Sequence, residues 1–124
     1  MYPEELKYTK DHEWVRVVDN IAEVGVTNYA QEQLGDVVFV DLPEVGEEVV
    51  AGKSFGSIES VKAVSELFSP IGGKIIDVNS ALSEHPEEVN SKPHSTWMVK
   101  IQIPSSESIP ELLNHNEYTQ LVNG

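Results

Sequence analysis

A chain of 124 residues and 13.7 kDa has material for one compact domain and little for a second independent core. Eight Lys and Arg stand against twenty-one Asp and Glu, a formal charge of −13, which repels phosphate backbones and anionic lipid and so argues against nucleic acid and membrane as partners. With no cysteine there can be no disulfides, thiol catalysis or thiolate metal sites, and no apolar run is long enough to span a bilayer. The acidic start, with Glu4, Glu5 and Asp11, is unlike a signal or transit peptide. The expectation is a soluble protein of a bacterial cytoplasm, or the mature form of a mitochondrial matrix protein, with a monomer favoured by the single sign of its charge.

In chain order, Trp14–Val18 and Ile21–Val26 alternate in polarity around Asp19-Asn20, which predicts a tight β-hairpin. Asn28, with Gln31 three residues on, Leu34 and then Gly35 predict a short helix over 28–34 capped by Asn28. The β-branched and aromatic run Val37–Val40 predicts a strand buried on both faces and ended by Pro43. Strands are expected at about 54–60, 63–69 and 73–79, punctuated by Ser69-Pro70 and Gly72-Gly73. Residues 80–95 read as polar and irregular. Trp97–Ile103 predicts a last strand stopped by Pro104, with Trp14 and Trp97 as core anchors. Ser108 with Glu111 forms a capping box ahead of Leu112, Leu113, Tyr118 and Leu121, which predicts an amphipathic C-terminal helical segment over about 108–122. Six or seven short strands with two short helices predict a mainly β sandwich or barrel. Val45–Val50 and Ile71–Ile76 echo each other at an offset of 26 residues (71 minus 45), with Gly46 matching Gly72 and Val49 matching Ile75, which suggests two half-sheets related by an approximate two-fold axis.

Catalytic patterns are missing. His12, His85, His94 and His115 lack the spacing of a metal-binding helix, Gly52-Lys53-Ser54 lacks the upstream glycine of a phosphate loop, and adjacent acids such as Glu47-Glu48 read as solvated loop. What remains is Lys62, flanked by two β-compatible arms that would set it on an exposed hairpin tip, where a modifying enzyme could reach its amine. By itself it reads first as one surface lysine among several.

The surrounding residues decide between these readings. Glu59-Ser60-Val61-Lys62-Ala63, followed by Ser69-Pro70-Ile71-Gly72-Gly73-Lys74, resembles the lipoyl-lysine hairpin of the glycine cleavage system H proteins. The resemblance extends to Tyr8–Val15 and to Gly25–Pro43, and so covers most of the chain. Lipoyl domains of 2-oxoacid dehydrogenases favour Thr-Asp-Lys-Ala and biotinyl domains Met-Lys-Met, whereas here Val61 and Ala63 flank the lysine. A departure lies at Asn90–Trp97, which is one residue shorter than the family pattern and carries His94 in place of an aromatic.

The resemblance implies a barrel-sandwich hybrid of the lipoyl/biotinyl type, mainly β with short antiparallel strands. Residues 1–124 would form one lipoyl-carrier domain with its lipoyl hairpin at about 54–69. It further implies a non-catalytic carrier with lipoic acid joined to Lys62. The carrier would shuttle an aminomethyl group from a pyridoxal-phosphate glycine decarboxylase (P-protein) to an aminomethyltransferase (T-protein) and then visit dihydrolipoyl dehydrogenase (L-protein). A lipoate ligase or lipoyltransferase would load it, with Glu59 as a recognition feature, and Glu13 and Glu66 would shelter the aminomethyl group. Two other readings stay open at this point: a lipoate relay that donates lipoyl groups to other lipoyl-dependent enzymes, and an unmodified interaction module.

Overall fold

The computed structural model describes residues 3–104 and 112–123. Among the described residues nine strands form two antiparallel sheets. The larger has the order β1 (Lys7–Tyr8), β2 (Glu13–Val18), β3 (Ile21–Val26), β9 (Val99–Gln102), β8 (Gly73–Val78), β5 (Glu48–Val49); the smaller has β4 (Val37–Asp41), β6 (Ser54–Ser60), β7 (Val64–Phe68). Mainly antiparallel sheets with a few short helices are what the sequence pattern predicted.

Alternation decides which side chains meet. On the larger sheet, Val15, Val24 and Val99 lie in one cross-strand row and Ala22, Ile101 and Ile75 in the next, all buried. They face Val40, Ile58 and Leu67 of the smaller sheet, and the resulting core runs between the two. The opposite side of the β1–β2 edge carries a second cluster, Leu6, Tyr8, Trp14 and Tyr118. Here Gly25 is required, because it pairs with Trp14 and a Cβ on it would lie 2.6 Å from the indole. The predicted hairpin is present as β2–β3, with Asp19 and Asn20 at φ 52° and 63°, the paired positive angles of a two-residue turn that matches strand twist.

The helix predicted over 28–34 is α1 (Asn28–Leu34), but its cap is Thr27, whose hydroxyl accepts from Ala30 N, while Asn28 sits in the first turn and accepts from Gln31 Nε2. Strand β4 is not buried on both faces. Val37 and Val40 are buried, but a bulge between Val37 and Phe39 leaves Val38 and Phe39 each 50% exposed, and this three-stranded sheet has core on one side only. Residues 80–95 are less irregular than expected. They hold a 3-10 turn at Ser80–Ser83, helix α2 (Glu88–Ser91) and a second 3-10 turn at Pro93–Ser95. The last strand begins at Val99; Trp97 precedes it, half-buried against the second cluster under the Lys100 ammonium, so Trp14 alone of the two tryptophans is a core anchor.

Ser108, Pro110 and Glu111 lie outside the described residues. Leu112 and Leu113 are not helical: Leu113 bridges to Tyr8 in extended backbone. Helix α3 spans His115–Asn123, and a reciprocal capping box closes its start, with Glu117 N donating to Asn114 Oδ1 at 2.8 Å and Asn114 N to Glu117 Oε1 at 2.9 Å.

The echo has a structural counterpart. The offset that matches Val49 to Ile75 also matches Glu48 to Lys74, and Glu48 and Lys74 are direct register partners of β5 and β8. The two stretches thus lie side by side at the edge of one sheet, not in two half-sheets.

Candidate functional site

The tip of the β6–β7 hairpin is Val61-Lys62-Ala63, and backbone bonds fasten it from two directions. Ser60 N donates to Ala63 O at 2.8 Å, closing the loop, and Val61 N donates to Asp36 O at 3.0 Å, tying the loop to the turn after α1. The Ser60 hydroxyl accepts from both Lys62 N (3.3 Å) and Ala63 N (3.1 Å), so one buried side chain supplies the turn chemistry that an Asn-Gly pair would otherwise provide. Lys62 itself is exposed, and its stem crosses Gly35. Gly35 has φ +82° and ψ −159°, a region essentially reserved for glycine, and its carbonyl accepts from Asn90 Nδ2 at 2.8 Å. Asn90 also donates to Gln31 Oε1 and accepts from Val37 N, and so clamps the end of α1 to the start of β4. The sequence reading missed Ser60 as a turn organiser and Asn90 as a clamp. The Glu-Ser-Val-Lys spacing could have flagged the first; a lone amide between two prolines carries no pattern that could flag the second.

Beside the hairpin is a pocket of about 160 Å³. Asp11, His12 and Glu13 form one wall, Ala30, Gln33 and Leu34 of α1 a second, and Ser65, Glu66 and Leu67 of β7 a third, with Val26 and Ile58 completing it. Two sequence-predicted residues, Glu13 and Glu66, are thus brought together. Glu66 is exposed at the rim. Glu13 is 2% exposed and forms no ion pair among the described residues. Its carboxyl accepts from Thr9 Oγ1 at 2.7 Å and, more weakly, from Phe68 N at 3.4 Å. Burial raises its pKa from 4.5 to about 7; the two hydrogen bonds oppose that rise and the neighbouring Asp11 charge adds to it. Glu59 stands apart from the pocket, exposed on β6 in a row with Phe39 and Val64.

His12 has φ 70°, a conformation sparsely used by non-glycine residues, and its Nδ1 lies 2.8 Å from Tyr118 Oη while its ring leans on Tyr29. Burial lowers its pKa, against the pull of Asp11, and favours a neutral ring. The departing loop is anchored rather than loose: Pro93 O accepts from Trp14 Nε1 at 2.9 Å, and His94 Nε2 accepts from Asn28 N at 3.1 Å. His94 is held below its ordinary pKa mainly by burial, as an acceptor nitrogen requires.

Against known proteins, the family described as glycine cleavage H-protein matches residues 6–124. The chain belongs to that family. Glycine cleavage system H proteins from two strains of Staphylococcus epidermidis are 51% and 50% identical to it over 121 residues, covering 97% of this chain and 96% of each relative. A crystal structure of a glycine cleavage system H protein from Mycobacterium marinum superposes with a TM-score of 0.91 at 40% identity, covering 99% of this chain and 100% of that one. The two-sheet architecture is therefore the barrel-sandwich fold of the H proteins, and the chain is a lipoyl-bearing carrier of the glycine cleavage system, not one of its catalysts. Membership in that system implies partner proteins. Among the described residues no helix is long and apolar enough to cross a membrane.

Proposed function

We propose that Lys62 Nζ carries the lipoyl group in amide linkage and that the Glu13 pocket shelters the loaded end of the arm. The observation that carries this reading is the pairing of a braced, exposed lysine with an adjoining pocket whose buried carboxyl has no counter-ion among the described residues. Gly35, under the Lys62 stem, directly follows Leu34 of the pocket wall. A lipoyl group held on Lys62 would supply a redox-active disulfide able to take up an aminomethyl group and pass it on. The protein's part is positional. Ionised Glu13 pairs with the ammonium, Thr9 Oγ1 and Phe68 N hold that carboxylate in place, and Val26, Leu34 and Ile58 keep water away. Glu66 offers a second carboxylate at the rim.

The partners in this reading are a pyridoxal-phosphate glycine decarboxylase, an aminomethyltransferase, dihydrolipoyl dehydrogenase and a lipoate ligase or lipoyltransferase, the last reading the exposed Glu59. A charge of −13 steers encounters toward basic partner surfaces, and visits of this kind suit the cytoplasm of a bacterium. Intact mass tests the attachment. Incubated with a lipoate-attaching enzyme, ATP and lipoate, the chain gains one lipoyl group, and Lys62→Arg gains none. Attachment at Lys53 or Lys74, or an unaltered mass beside a control carrier that is modified, overturns it.

A further inference from the structure

The pocket walls belong to segments distant in sequence, and one hydroxyl from outside the pocket joins two of them. Tyr118 of α3 is fully buried, its ring stacked on Tyr8 at 4.7 Å. Its Oη lies 2.8 Å from His12 Nδ1 and 2.7 Å from Thr27 Oγ1. His12 precedes Glu13 and lines the pocket; Thr27 caps α1, which supplies Ala30, Gln33 and Leu34. One proton order satisfies the chain: Thr27 Oγ1 accepts from Ala30 N and donates to Tyr118 Oη, whose own proton goes to His12 Nδ1. His12 is then neutral with its proton on Nε2, and the wall next to an incoming ammonium bears no positive charge. The left-handed φ of His12 marks a conformation that its surroundings must impose, and Tyr118 is the buried group bonded to its side chain.

We propose that Tyr118 is a positioning residue of the shelter, through which the C-terminal helix holds the His12–Glu13 wall and the α1 wall in register. The inference rests on the proposed role of the Glu13 pocket. The reaction the shelter opposes is hydrolysis of the loaded arm. Water breaks the carbon–sulfur and carbon–nitrogen bonds, its oxygen leaves in formaldehyde, nitrogen leaves as ammonium and sulfur returns as a thiol, with no change of oxidation state overall.

The test compares wild type with Tyr118→Phe, which removes one oxygen and keeps the ring on Tyr8, and with Thr27→Val, which cuts the same link from the other end; Thr27→Ser keeps a hydroxyl and should rescue. The first readout is the ring 15N spectrum of His12 in the unmodified chain, expected to move from a single Nε2–H tautomer to a mixture in the first two variants. The second is formaldehyde and ammonia release from fully lipoylated, loaded protein without partner enzymes, expected to rise roughly five- to tenfold, the factor that one ordinary hydrogen bond represents. A moved His12 spectrum with wild-type release overturns the proposal, as does faster release with His12 unmoved. If wild type cannot be loaded at all, it is the shelter reading that fails, and the His12 spectrum still reports on the hydroxyl link.

Discussion

Glu13→Gln isolates the energetics of the pocket. In the folded chain the Glu13 carboxyl titrates at about 7, while in the unfolded chain it returns to 4.5. Below 4.5 both states hold the proton and the group favours folding in full. Between 4.5 and 7 the unfolded chain gives up its proton while the folded chain keeps it, so that contribution is lost as pH rises through the folded value. At about 1.36 kcal/mol per pH unit, the whole loss is about 3 kcal/mol as an order of magnitude. Gln has the shape of the protonated acid and still offers an oxygen to Thr9 Oγ1, but it does not titrate. The other acids are common to both proteins, so their contributions cancel in the difference. Urea unfolding at fixed ionic strength from about pH 5 to about pH 8 should therefore show the variant gaining on wild type by most of that ~3 kcal/mol, with no further gain at higher pH. The same variant should lose its loaded fragment faster, because an amide cannot pair with an ammonium as a carboxylate does. A difference in unfolding free energy that does not vary with pH would refute the reasoning.

Two further substitutions probe the hairpin tip. Gly35→Ala must adopt φ +82° and ψ −159° with a side chain, which costs about 1–3 kcal/mol and should appear as a lowered urea midpoint with an unaltered slope; a loss under about 0.5 kcal/mol would mean that the turn relaxes freely. Ser60→Ala strips Lys62 N and Ala63 N of their acceptor, costs about 1 kcal/mol, and should raise the KM of the lipoate-attaching enzyme more than it lowers kcat, because the lysine is displayed less uniformly; a kcat effect alone would count against that role.

Much of this was legible in the sequence where local patterns agree with one another. Asp19-Asn20 between two alternating runs specifies both a hairpin and its turn, and 54–60, 63–69 and 73–79 fall within a residue or so of β6, β7 and β8. Legibility stopped where tertiary context decides. Val37–Val40 has the composition of a doubly buried strand, yet which faces are covered depends on a bulge and on how many layers stack. Thr27 and Asn28 are both competent caps, and the contact of Tyr118 with Thr27 is invisible to local pattern. Two-residue strands such as Lys7–Tyr8 and Glu48–Val49 exist only through their partners. At the site, Lys62 was left by elimination and then, with Glu13 and Glu66, singled out through family likeness; only the fold shows that Glu13 is buried with no counter-ion among the described residues whereas Glu66 is exposed.

That asymmetry suits a carrier. Had Glu13 been paired with a resident lysine or arginine, its charge would already be satisfied, and an arriving ammonium would have to break that pair to gain anything. Left without an ion pair among the described residues, the carboxyl makes the folded chain less stable above neutrality but, in the proposed role, would keep a site whose affinity for a cation is latent until one arrives. With a pKa of about 7 the empty pocket is divided between acid and carboxylate at neutral pH, so taking in an ammonium draws out a fraction of a proton. In the proposed shelter role, the charge left in the pocket when the fragment departs would be partly neutralised by the return of that fraction of a proton. In the proposed reading the acidic exterior would work at longer range on the same problem, steering basic partner surfaces toward a carrier that must let go of each in turn.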